Sequence, residues 1–410
     1  MKLSNLTLAC LLATSTLSAS HFANAESDDF AFTGYARYGM HYANNGNDYV
    51  TADGQLAGNA AGRLGNETNG GEFQFSKGFE GPNGTKWDVV LMLENWWKMP
   101  GSLEKEDSNG DTFTDDVGNG DVFLKKFYAG ASNVFASQPN AYVWAGRDFH
   151  QRPQEGLNDY FFMTHDGQGA GIKNLELGNV KLNVAFVAQT DGSSWTGTGD
   201  NGDYALTTKL HDIKLADNVD LSIFANYGLS SDDSAEADIK AYQVGTIFNF
   251  NGKKLSLRYT DNTDNSAFNK TEDLNTIYAS FQGGMSLGDS TTLDYQLAYH
   301  NNDGANDAAD DRTNYSAIVR PMHSWNDIHS TWLEAGYSLV DYDNADENAA
   351  WKVTLSQNIA IGKNSWDRPM LRFYATVGDA DNKVAGDGSE IIGDTTRDTF
   401  AVGAMWEAWW

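Results

Sequence analysis

Side-chain polarity reverses at nearly every step along many segments of this chain. After position 25 no apolar run approaches the roughly 18–20 residues that a membrane-crossing helix needs. In Phe30–Tyr42 the even positions Phe32, Gly34, Ala36, Tyr38, Met40 and Tyr42 are mostly apolar, and the odd ones carry Thr33, Tyr35, Arg37 and His41. The same period of two sets Leu221, Ile223, Ala225 and Tyr227 against Ser222 and Asn226. It sets Leu293, Leu297 and Tyr299 against Asp294, Gln296 and His300, and Leu371, Phe373 and Val377 against Arg372, Tyr374 and Thr376. At the end of the chain Phe400, Val402, Trp406 and Trp410 oppose Thr399, Glu407 and Trp409. A period of two is the signature of a strand with two unlike faces.

Two architectures accommodate such strands: a soluble sandwich, and a membrane barrel whose apolar face meets lipid while its polar face lines a lumen. Mean hydropathy of -0.49 is compatible with the barrel, because lumenal residues offset lipid-facing ones. The strands run to about 8–12 residues, the length that crosses a bilayer when tilted. Their connections alternate in length. Asn251-Gly252 reads as a tight hairpin, whereas Glu104–Asp121, Ser231–Asp238, Asn301–Asp311, Asp341–Asn348 and Gly378–Asp394 are long and acidic. Short turns at one rim and long loops at the other mark an outer-membrane barrel, here of roughly 16–20 strands by length. A terminal strand ending in Trp410 suits the membrane interface; in a sandwich it would leave large aromatics at a free edge.

The first 25 residues stand outside this fold. Lys2, the apolar stretch Leu6–Leu17 and Ala23-Asn24-Ala25 form a secretory signal peptide, with cleavage expected after Ala25. Residues 26–410 then constitute one barrel domain. The single cysteine, Cys10, leaves with the signal, so neither disulfide nor thiol chemistry is expected. A net charge of -28 argues against nucleic acid as a partner.

One stretch differs from its surroundings. Trp144–Gly171 gathers Arg147, His150 and Arg152, then Tyr160, Phe161 and Phe162, then breaks into Gly167, Gly169 and Gly171. Its aromatic content argues against disorder, and a connection of this length is expected to fold into the barrel as a constriction loop.

Catalytic motifs are missing: no G-x-S-x-G, H-E-x-x-H or Walker A sequence occurs, so no enzyme activity and no cofactor are expected. Asp107, Asn109 and Asp111 have calcium-loop spacing, but Thr112 replaces the required glycine, and no metal site is assigned. Abundant carboxylates leave a secreted β-rich hydrolase or carbohydrate-binding protein as the alternative of another class.

Several short motifs, weak singly, occur in an order that resembles the maltoporins, sugar-specific porins of the Gram-negative outer membrane. They are Phe32-Thr33-Gly34-Tyr35-Ala36-Arg37, Arg63-Leu64-Gly65-Asn66-Glu67, Trp144-Ala145-Gly146-Arg147 running into Gln151-Arg152, and Gly169-Ala170-Gly171. Arg320-Pro321-Met322, Trp366-Asp367-Arg368-Pro369 and Trp409-Trp410 complete the series across nearly the whole chain. The resemblance implies an all-β transmembrane antiparallel barrel of about 18 strands with an inward-folded constriction loop. It implies a homotrimer, set among outer-membrane lipid and lipopolysaccharide, that passes maltose and maltodextrins. It also implies a lumenal file of aromatic residues at Tyr35, Phe161, Trp366 and Trp409, flanked by Arg37, Arg63, Glu72, Lys125, Arg152 and Asp159.

Tyr35, Trp409 and Glu72 fall on the polar faces of their strands, and Trp366 shares parity with Arg368 and Arg372. Around Lys125 the alternation is unclear. The chain departs from the family in carrying Phe161 where tyrosine is usual, Lys125 where arginine is usual, and no tyrosine near Gly70. The loop tryptophan that a neighbouring subunit contributes in that family corresponds to Trp96 or Trp97. The departures bear on sugar preference, and leave a porin for another oligosaccharide or a general diffusion pore as alternatives within the transport class.

Overall fold

The structure is a computed structural model that describes residues 30–44, 50–97, 104–106, 112–114, 122–190, 202–304 apart from 233 and 235, 311–385 and 396–410. The expected signal peptide and the Asp107–Asp111 spacing lie outside the described residues.

Eighteen strands, every neighbouring pair antiparallel, close on themselves. In chain order they are β1 (Phe30–Ala43), β2 (Asn69–Glu80), β3 (Lys86–Trp97), β4 (Phe123–Ser132), β5 (Tyr142–Asp148) and β6 (Gly167–Leu177). Next come β7 (Val180–Thr190), β8 (Gly202–Ala216), β9 (Val219–Ser230), β10 (Ala241–Phe250), β11 (Lys253–Thr263) and β12 (Lys270–Ser286). The last six are β13 (Thr291–Asp303), β14 (Arg312–Ser324), β15 (His329–Tyr342), β16 (Asn348–Ala360), β17 (Met370–Asp381) and β18 (Thr396–Trp409). Closure runs between the first and last strands, with Tyr35 opposite Trp409 and Gly34 exchanging backbone hydrogen bonds with Trp410. A closed sheet has no unpaired edge, the condition for strands to cross lipid.

The period of two read from the sequence is realised in side-chain burial. In β16, Trp351, Leu355 and Ile359 are exposed, while Lys352, Thr354, Ser356 and Asn358 are buried inside. In β17, Leu371, Phe373 and Val377 face out, and Arg372, Tyr374 and Thr376 face in. The loop-length asymmetry is also present. Asn251 and Gly252, both at positive φ, turn β10 into β11 in two residues, as the primed hairpin turn requires.

The stretch singled out in the sequence does enter the barrel, over a shorter span. Residues 149–166 form the connection, and Gly167, Gly169 and Gly171 already belong to β6 instead of breaking a loop. These glycines serve close strand packing: a Cβ at Gly169 would lie 2.2 Å from the Phe186 carbonyl oxygen. Inside the connection a two-residue ladder joins Gln154–Glu155 to Tyr160–Phe161. Phe162 and Met163 are fully buried with Phe224, Ile247 and Tyr278. Gly245 makes room, since a Cβ there would sit 2.3 Å from the Met163 methyl.

A second segment, residues 50–68, also folds inward, which the sequence reading did not anticipate. It contains the Arg63–Glu67 motif. Leu64 is buried with Met322, Trp332 and Met370. Its N–H donates to Glu334 Oε1 (2.7 Å), and Lys352 Nζ donates to the carbonyls of Gly62 (2.6 Å) and Leu64 (2.7 Å). The two segments meet where Asn158 Nδ2 donates to the Gly58 carbonyl (2.6 Å).

The alternation carries a stability prediction. Val402→Arg places a charge on the lipid face near the middle of β18 and is expected to cost about 2–4 kcal/mol. Denaturant titration of the protein refolded into lipid vesicles measures that loss.

Candidate functional site

Tyr35 and Trp409 project inward from the paired strands β1 and β18, so their rings lie side by side with centroids 6.3 Å apart and planes 29° apart. Trp366 continues the line, 6.4 Å from Trp409. It arrives differently from the sequence expectation: β17 begins at Met370, so Trp366 stands in the turn before it, and strand parity does not place it. A Cβ at Gly156, in the inward connection, would come within 3.2 Å of the Trp366 ring, so the constriction passes close to this end of the file.

Against the rings lies a charged cluster centred on Glu407. Tyr35 donates its hydroxyl to Glu407 Oε1 (2.8 Å), Arg63 pairs with the same oxygen, and Arg368 (2.7 Å) and Arg372 (3.2 Å) pair with Oε2. Glu67 receives Arg63 (3.4 Å) and Arg372. Arg37 donates to Thr68 and reaches Asp159 Oδ2 at 2.9 Å, tying β1 to both inward segments. Burial alone would raise the Glu67 and Asp159 carboxyls. The surrounding arginines outweigh it, Arg372 first for Glu67 and Arg37 first for Asp159, and hold both below the ordinary range. Asp159 adopts a positive φ of 57°, a conformation few non-glycine residues take, and its other oxygen accepts from Gln154 (2.7 Å). Glu67, Arg368, Arg372 and Glu407 were not among the residues carried over from the family resemblance. Period-two parity placed Arg372 and Glu407 in the lumen but could not show that they converge with each other or with Arg368, which precedes β17 as Trp366 does.

The remaining expected residues form a second group. Arg152 lies between two phenyl rings, 4.0 Å from the Phe149 centroid and 3.9 Å from that of Phe161. Glu72 and Asp166 approach its guanidinium at 3.8 and 3.6 Å. One face of Phe161 is therefore covered by a cation, and the ring stands apart from the Tyr35–Trp409–Trp366 file. Lys125 pairs with Glu94 at 2.8 Å. Its unclear alternation has a physical cause: Met92 pairs with Lys126 and Leu93 with Leu124, so Lys125 is the extra residue of a β-bulge.

A strap formed by residues 264–269 latches the constriction. Thr164 N–H donates to the Asn265 carbonyl (3.0 Å), the Ala267 N–H donates to His165 Nε2 (3.2 Å), and His150 Nε2 lies 2.6 Å from Thr207 Oγ1. Burial pushes both imidazoles down to about 3, with Lys173 and Lys209 adding to this at His150, and His150 and Arg258 at His165.

A closed barrel with apolar residues outside, charged residues inside and loops folded into its lumen defines an outer-membrane porin. The LamB porin family matches residues 30–410, and this chain belongs to that family. Among curated relatives, the maltoporin of Vibrio cholerae serotype O1 is 29% identical, with 92% of this chain and 94% of the relative covered. The maltoporin of Photobacterium profundum is 26% identical, with 98% of each covered. Among solved structures, Acinetobacter baumannii OccAB1 superposes with a TM-score of 0.53 at 12% identity, covering 95% of this chain and 99% of that one. Pseudomonas aeruginosa OccK8 (OprE) gives 0.50 at 13% identity, covering 93% and 98%. These two likenesses concern the fold. The protein is thus a channel of a sugar-porin family in the Gram-negative outer membrane.

Two predictions follow from the site. Glu407→Gln leaves three buried arginines short of their shared carboxylate and is expected to cost on the order of 3–5 kcal/mol, read as a lower denaturation midpoint. Between about pH 3 and 6.5, unfolded His150 and His165 bind protons that the folded forms refuse. Their contribution to stability is present above about pH 6.5 and is lost as pH falls towards 3. As pH falls across that interval, hydrogen-exchange protection factors in residues 149–166, corrected for the intrinsic rate at each pH, should drop, and less so in His165→Gln.

Proposed function

We propose that the protein mediates facilitated diffusion of maltose and maltodextrins along the aromatic file, with flanking charged residues replacing the water stripped from the sugar. The supporting observation is the alignment of Tyr35, Trp409 and Trp366 against one bank of arginines and carboxylates. A sugar ring offers weakly apolar C–H faces that pack on aromatic rings and edge hydroxyls that need partners. Each hydroxyl left unpaired costs about 1–3 kcal/mol. Arg37, Arg63 and Asp159 in the first group, with Arg152, Glu72 and Lys125 in the second, carry donors and acceptors for those hydroxyls. Phe161 contributes by holding the Arg152 guanidinium in place. Binding along such a track must be weak and repeated, because one deep site would stop flux.

The working form in this reading is a homotrimer in lipid and lipopolysaccharide, with residues 1–25 removed as a signal peptide. The maltoporin relatives support maltodextrin as cargo. Phe161 and Lys125 are the departures that bear on which oligosaccharide fits best.

Single-channel conductance titrated with maltose-series sugars, sucrose and chitooligosaccharides tests the cargo. Block that deepens along the maltose series supports the proposal; indifference to every sugar favours a general diffusion pore. Trp366→Ala should remove about 1 kcal/mol of stacking and weaken maltose-series block roughly fivefold, with ion conductance retained.

A further inference from the structure

We infer that Trp96 is a fourth ring of the sugar track, supplied to the pore by its own chain and made possible by Gly70. The inference rests on the proposed permeation path and extends it.

Parity in β3 is unambiguous on the barrel side. Asp88, Val90, Met92 and Glu94 are buried within the barrel, whereas Trp87 and Val89 are exposed on its outer face. Trp96 continues the inward set. Its ring centroid lies 5.9 Å from that of Tyr35. The interval matches the 6.3 and 6.4 Å steps that follow to Trp409 and Trp366. Four rings from β3, β1, β18 and the turn before β17 then stand in one file. The tryptophan expected to reach a neighbouring pore, insofar as it is Trp96, lines this one.

Gly70 is the partner that permits this. It pairs with Trp96 across the β2–β3 ladder and adopts a φ of 140°. A Cβ there would lie 2.2 Å from the Asn95 carbonyl oxygen and 2.8 Å from Cε3 of Trp96. The indole lies across the very backbone position that carries no side chain. An aromatic group missing from β2 is replaced in space by one from β3.

The charged environment repeats as well. The Arg37 guanidinium lies 5.1 Å from the Trp96 ring centroid, and the Arg368 guanidinium lies 4.7 Å from that of Trp409. Both arginines are anchored, Arg37 by Thr68 and Asp159 and Arg368 by Glu407. An aromatic platform with an anchored guanidinium over it therefore occurs twice among these rings. That pairing suits a glucosyl unit, whose face and edge make different demands. A longer file favours longer chains, since each additional sugar ring finds another platform.

Planar-bilayer titrations with maltose, maltotriose and maltohexaose on wild type, Trp366→Ala, Trp96→Ala, Trp96→Phe and Trp96→Leu test the inference. Trp96→Ala is expected to conduct ions and to lose roughly fivefold in maltohexaose block but less than about twofold in maltose block, with Trp96→Phe near wild type. Wild-type block at every length in Trp96→Ala, beside weakened block in Trp366→Ala, would overturn the fourth ring and leave the proposed path intact. Absence of block in wild type would instead remove the path itself. Should Trp96→Ala not insert, Phe against Leu decides: both fill the space, and only Phe keeps a face. Equal block in those two overturns the inference.

Discussion

Every backbone polar group that crosses lipid must find a partner within the sheet, and this constraint shapes the whole molecule. It forces closure of β1 on β18, and closure divides each strand into a lipid face and a lumenal face. The lumenal face is then committed to polar residues whose needs must be met inside. Lys352, Glu334, Arg372 and Glu67 are all fully or almost fully buried. Residues 50–68 meet part of that need, because the carbonyls of Gly62 and Leu64 accept from Lys352 and the Leu64 N–H donates to Glu334. The inward segments are thus part of how the wall is satisfied as well as what narrows it.

The Glu407 cluster shows what such burial provides. Opposed charges taken out of water recover little net stability, but removing one leaves the others stranded. The cluster consequently holds one geometry, and Tyr35, Arg368 and Arg63 are fixed relative to one another through a shared carboxylate. A sugar path needs its stacking faces and donors at constant spacing, since water stripped from a hydroxyl must be replaced at once. In the proposed path, this cluster keeps that spacing without relying on flexible surface side chains.

Much of this was legible in the residues, and the exceptions have physical reasons. Alternation gave the two faces of β1, β9, β13, β17 and β18, because a one-residue slip would turn every side chain to the wrong side. It failed at Lys125, where a bulge puts an extra residue in the strand, and at Trp366, which precedes its strand. Gly167–Gly171 resembled a break because glycine is common in loops; in β6 it allows a neighbouring backbone to come close. The fold of residues 50–68 into the lumen depends on contacts with β14–β17, hundreds of positions away, and no local pattern reports them. Arg372 and Glu407 had the right parity, yet parity says which face a residue takes and nothing about which residues converge across the barrel.

The exchange of tyrosine for phenylalanine at 161 illustrates why a site must be read by its contacts. Losing the hydroxyl looks like losing a donor at the narrowest point. The ring, however, carries Arg152 on one face, and Phe149 carries the same guanidinium on its other side. Glu72 and Asp166 stand 3.8 and 3.6 Å away, beyond ordinary hydrogen-bond length. Burial raises the Asp166 carboxyl, against the opposing pull of Arg152 and Lys125. The guanidinium is accordingly held by stacking, and its in-plane donors are not drawn into a tight ion pair. A planar fork immobilised in this way keeps its N–H groups in one plane beside the Phe161 ring, which itself lacks a hydroxyl.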